Sequence, residues 1–87
     1  MKHAGPATLA SIEPLLGAIR AVPGLTERRR GVFYRRSTAF LHFHEDPSGL
    51  HADVRVGAEF ERYRAETASE RAALVELVRA AVVADAG

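Results

Sequence analysis

Three of the chain's four histidines, His42, His44 and His51, fall on a single short stretch together with Asp53. A His-x-His pair places two imidazoles on the same side of a strand, about 7 Å apart, and a residue opposite on the next strand lies about 5 Å away. Imidazole nitrogens and a carboxylate oxygen so arranged are the donor set for zinc or another borderline divalent metal. A carboxylate beside a histidine is also the orienting unit of general-base catalysis. No nucleophile accompanies it. Ser37 and Ser48 lie in turn sequences without a Gly-x-Ser-x-Gly elbow, and there is no glycine-rich phosphate loop. His-x-His is a common pattern, and the competing reading is a set of partly solvated side chains on a sheet face. The chain is therefore expected to hold no cofactor and no catalytic site, with a metal such as zinc at these four residues as the alternative.

Two further groups of residues could bind something. Arg28, Arg29, Arg30, Arg35 and Arg36 surround Phe33 and Tyr34, and arginine interleaved with aromatics suits single-stranded nucleic acid. Residues 20–36 hold six Arg and one Glu, a local +5, whereas residues 37–87 hold five Arg and nine acids, a local −4. The net charge of +1 is not that of a typical nucleic-acid binder, so this partner is disfavoured and a solvated, charged edge is the simpler reading. Phe33 and Phe40 on an open sheet face, rimmed by Arg55, would form an apolar centre with a polar rim. Such a patch suits self-association about a two-fold axis.

The elements that must position these residues centre on Ala39–Val56. Asp46-Pro47-Ser48-Gly49 is a strong turn sequence: Pro presets φ, Asp bonds to the backbone, and Gly accepts positive φ. The flanking strands are Ala39–Glu45 and Leu50–Val56. Their register decides where the histidines point. With Asp46 opposite Leu50, both faces mix charge with hydrocarbon. With Glu45 opposite Leu50, Leu41, Phe43, Ala52 and Val54 share one face. Phe40, His42, His44, His51, Asp53 and Arg55 then share the other. Burying unpaired charge costs several kcal/mol, so the second register is expected, with His42 opposite Asp53 and His44 opposite His51. Val32–Arg36 is a third strand. Pairing Arg36 with Ala39 would put Val32 and Tyr34 on the apolar face and Phe33 and Arg35 on the histidine face.

On either side lie helices. Leu9, Ile12, Leu15, Leu16 and Ile19 recur at helical spacing. Pro14 requires either a start near Ser11 or a kink at Glu13–Pro14. Thr67-Ala68-Ser69-Glu70 is a capping box ahead of a helix over 68–84. Residues 1–6 read as a loose start. Residues 25–30 are ambiguous between an irregular edge strand and a loop, and residues 58–66 between a helical turn and a short extended crossing. The expectation is a single α+β domain over 1–87 with two layers: an N-terminal helix, an antiparallel meander of three or four strands, and a C-terminal helix. Hydrophobic residues make up 47% of the chain, enough for a core, and there is no cysteine to staple it. No apolar run approaches the roughly 20 residues of a membrane span. The N-terminal segment, broken by Gly5, Pro6, Glu13 and Pro14, does not read as a signal peptide. A cytoplasmic location is expected.

Val22-Pro23-Gly24-Leu25, followed by Ala39-Phe40-Leu41-His42-Phe43-His44-Glu45-Asp46, resembles a group of short bacterial proteins and, over about residues 15–56, the bacterial "luciferase domain" family. That family carries a helix, a Pro-Gly-Val-type turn and a strand ending in a His-x-His-like pattern. Its later Gly-Trp and His-Pro features have no counterpart, since the chain has no Trp. The resemblance implies a small α+β domain and no catalytic residue. Together these features point to a small interaction or ligand-binding module that forms a homodimer through its open sheet face.

Overall fold

The central hairpin adopts the register that keeps charge out of the core. In the computed structural model, which describes residues 1–86, Leu41 lies opposite Val54, His42 opposite Asp53, Phe43 opposite Ala52, His44 opposite His51 and Glu45 opposite Leu50. Asp46 Oδ1 accepts the Ser48 N–H at 2.8 Å and the Ser48 hydroxyl at 2.5 Å, which closes the turn. Gly49 follows with φ 126°, a conformation that side-chain-bearing residues avoid.

In chain order the elements are β1 (Lys2–His3), α1 (Pro6–Ser11), α2 (Glu13–Arg20), β2 (Thr26–Arg29), β3 (Val32–Arg35), β4 (Thr38–Asp46), β5 (Gly49–Val56), β6 (Glu59–Arg64) and α3 (Ala68–Ala86). Strands β2 to β6 form one antiparallel meander, and β1 pairs with the C-terminal part of β4, beyond the residues that pair with β3. The meander thus has more strands than the three or four expected. The ambiguous residues 25–30 and 58–66 supply β2 and β6, both at sheet edges and both largely exposed, so neither carries an apolar row to announce it. The loose start expected at residues 1–6 contains β1.

The N-terminal helix is broken rather than continuous. α1 and α2 meet at Ile12, and Pro14 sits in the first turn of α2, where its missing N–H would have had no partner anyway. Before α3, Thr67 Oγ1 accepts the Glu70 N–H at 3.1 Å, and Glu70 Oε1 accepts the N–H groups of Thr67 at 2.9 Å and Glu66 at 3.0 Å. This capping box gives partners to donors at and just before the start of α3. Ile12, Leu16 and Ile19 from the N-terminal helices and Leu74, Val78 and Val82 from α3 close on Leu41, Phe43, Ala52 and Val54 to make the core. No helix among the described residues is long and apolar enough to cross a membrane.

β3 presents the opposite faces to those expected. Phe33 pairs with Leu41 but Tyr34 pairs with Ala39, so Phe40 is an extra residue in β4, a bulge. Arg35, not Arg36, closes this hairpin, opposite Thr38, with Arg36 in the turn at φ 56°. Phe33 therefore joins Leu41 on the inner face while Val32 and Tyr34 turn outward. Phe33 and Phe40 are 1% and 2% exposed. The expectation that they centre an interface on the open face is corrected: both rings belong to the chain's own core.

Candidate metal centre

The face of the sheet turned away from the helices carries His42 and His44 on β4, Asp53 on β5 and Arg62 on β6. Strand alternation puts the two histidines on one side, and register sets Asp53 opposite His42 and Arg62 opposite Asp53. β1 brings a third imidazole, because His3 pairs with His44. The strand is held there by the Ala4 N–H donating to Phe43 O at 3.0 Å and the Gly5 N–H donating to Glu45 Oε2 at 2.6 Å.

One ring nitrogen from each of His3, His42 and His44 lies within 4.8 Å of the other two. The rings of His3 and His44 are 4.6 Å apart between centroids, and those of His42 and His44 are 4.8 Å apart. His42 Nδ1 and His44 Nε2 are 2.7 Å apart, so a proton is shared between them. Asp53 Oδ2 stands 3.2 Å from His44 Nε2 and 4.0 Å from His42 Nδ1. Arg62 grips the same carboxylate through both oxygens, at 2.7 and 2.8 Å.

This geometry fixes the tautomer of His44. With a proton on Nε2, the ring donates toward His42 Nδ1 and faces the Asp53 carboxylate favourably. The other tautomer would set a nitrogen lone pair against a carboxylate oxygen. His44 Nδ1 is then a bare lone pair, and among the described residues it is buried with no hydrogen-bond partner. A buried acceptor left so costs about 1–3 kcal/mol.

The electrostatics favour neutral imidazoles. Burial pushes the pKa of His42 down, the nearby His44 adds to this, and Asp53 opposes it. Burial likewise lowers His44, again against the pull of Asp53. The Arg62 guanidinium holds the Asp53 carboxyl below its usual range, so it stays ionised. Neutral imidazole is the form that ligates metal.

Of the four residues expected to bind metal, the structure brings His42 and His44 together with Asp53 alongside. His51 stands apart. Its Nε2 is 3.2 Å from Ser48 Oγ and 3.8 Å from Asp46 Oδ1, directed at the hairpin turn. His3 takes its place in the cluster. A two-residue strand has no periodicity to reveal it; the only sequence signal was a fourth histidine near an end of the chain. The expectation of no cofactor is corrected by the same finding, since three convergent imidazoles are a donor set that a metal fits.

The Arg28 guanidinium lies 4.3 Å above the Tyr34 ring, Arg30 pairs with Glu13, and Arg35 pairs with Asp85. Arg55 donates to the carbonyls of Ala39 and Ala58 and covers the Phe60 ring at 4.5 Å. In comparisons with known proteins, no family model matches the chain, and no curated protein or solved structure is significantly similar to it.

Proposed function

We propose that this protein binds one divalent transition metal, zinc by preference, through His3, His42 and His44, with the Asp53 carboxylate beside the same nitrogens as an anion that offsets the metal's charge. The observation that carries this reading is the convergence of three imidazole nitrogens within 4.8 Å on one sheet face. Zinc–nitrogen bonds of about 2.0–2.1 Å place tetrahedral ligands roughly 3.3 Å apart. The 2.7 Å between His42 and His44 need open only slightly once the shared proton leaves. Three histidines leave one position for water or an anionic ligand, the pattern of zinc sites that do chemistry rather than of closed structural sites.

Native mass spectrometry of protein purified without chelator, with zinc added back at one equivalent, tests this. One zinc per chain is expected, weakened at least tenfold in His3→Ala and in His44→Gln and unchanged in His51→Ala. His3 is exposed, so its loss should not perturb folding. Zinc retained at full affinity by His3→Ala would sink the proposal. The same spectrum reads self-association, for which the open face offers Phe60, 38% exposed, as an apolar anchor.

A further inference from the structure

At the end of the sheet, between the β3–β4 turn, the β5–β6 turn and the last turns of α3, lies a cavity of about 470 Å³. Arg35, Arg36 and Arg55 line it, Asp85 is the one carboxylate among the described residues that do, and Phe40, Ala81 and Ala84 give it an apolar wall. We propose that this cavity binds a small organic oxyanion, a carboxylate or phosphate carried on a short apolar body. The proposal does not depend on the metal reading.

The charge balance favours an anion. Asp85 Oδ2 accepts from Arg35 Nε at 2.6 Å, which neutralises Arg35. Arg55 is fixed by two backbone carbonyls, at 2.8 Å from Ala39 and 3.0 Å from Ala58, which carry no formal charge to offset its own. Among the described residues neither Arg36 nor Arg55 forms an ion pair. Two guanidinium charges thus remain at the cavity. A held guanidinium loses little freedom on meeting an oxyanion and offers it a planar fork of donors.

Arg36 adds a second observation. It has φ 56°, and among the described residues it is the one non-glycine with positive φ. Gly or Asn would relax a turn at this position, yet the sequence has a long cationic side chain there. Strain of this kind is retained where a side chain has a task. The competing role for Arg55, a clamp on the carbonyl beside the Phe40 bulge, accounts for that residue alone and leaves Arg36 unexplained. The small side chains of Ala81 and Ala84 leave the space on the α3 side that a short hydrocarbon body would fill.

The test is a titration of the full chain with hexyl phosphate at low ionic strength, followed by amide NMR, with inorganic phosphate as the second probe. Saturable shifts at residues 36–39 and 57–58 are expected, with weaker binding of inorganic phosphate. Arg36→Gly and Arg36→Asn should each melt higher than the parent chain and bind hexyl phosphate about 10–100-fold more weakly, the loss of one charge-assisted hydrogen bond. Absence of saturable shifts, shifts confined to the histidines, or undiminished affinity in both variants would overturn the proposal. Equal affinity for inorganic phosphate would overturn its apolar half.

Discussion

Asp53 is pulled from two sides. Arg62 holds both of its oxygens, while Oδ2 also faces His44 Nε2 at 3.2 Å. The carboxylate is 8% exposed, so it stays charged because Arg62 is there, and its charge in turn sets the His44 tautomer. Asp53→Asn keeps the shape and removes the charge. Outer-shell neighbours of a metal site typically contribute 10–100-fold to metal affinity. Asp53→Asn is therefore expected to weaken zinc binding by about that factor while zinc still binds, as competition with a chromophoric chelator would show. Complete loss of binding would instead make Asp53 a direct ligand, and unchanged affinity would remove it from the centre.

At the scale of elements, the centre depends on how β1 joins the sheet. Both of its residues are exposed. It stays in place through the Ala4 and Gly5 N–H bonds and the packing of the His3 ring, tilted, against that of His44. An element held so lightly opens easily. A metal joining His3 to β4 would tie it down. Zinc is expected to slow hydrogen exchange at the Ala4 amide by an order of magnitude or more in the parent chain and to leave it unchanged in His3→Ala. Equal exchange with and without zinc would show that His3 is not a ligand. The same lightness explains what could be read from the chain. The central hairpin was legible because only one register separates Asp53 and Arg55 from Leu41 and Val54. α3 was legible because Thr67 and Glu70 mark its start. Lys2–His3, Thr26–Arg29 and Glu59–Arg64 pair at edges with little burial, and hydrophobic pattern cannot mark a strand that buries little. The Phe40 bulge inverted β3 for a related reason. A bulge shifts parity by one without changing composition, so Phe33 and Tyr34 exchanged faces. Of the centre, His42, His44 and Asp53 followed from strand parity, while His3 depended on a pairing between distant parts of the chain.

Taken as a whole, the molecule disperses its charge asymmetry and concentrates its titration. Part of the basic stretch meets acids in pairs, Arg20 with Glu13 and Glu27, Arg30 with Glu13, and Arg35 with Asp85, so the local +5 is partly offset. On the histidine face, protons and stability are linked near neutral pH. His42 and His44 titrate below their ordinary value of 6.5 in the folded chain, chiefly through burial, while the unfolded chain titrates near it. As pH falls through about 6.5, the unfolded state takes up protons that the native state refuses, and stability drops with pH. Their contribution is complete above about 6.5 and is lost on the way down to the lowered native values. His3 from β1 and Arg62 from β6 act against protonation of this pair, and Asp53 from β5 acts for it. Asp53 has its own window at lower pH, since its folded pKa is depressed below 3.8, and its stabilisation disappears only as pH falls below about 4. The metal-free protein should therefore unfold at lower urea concentration at about pH 5.5 than at about pH 7.5, with an unchanged slope. The double variant His42→Gln, His44→Gln should be less stable at the higher pH and show a flatter dependence. Saturating zinc should raise the midpoint most at the higher pH, where no proton competes for the imidazoles. A midpoint that rises as the metal-free protein is acidified would mean that Asp53 outweighs burial, and that these histidines are charged in the folded chain.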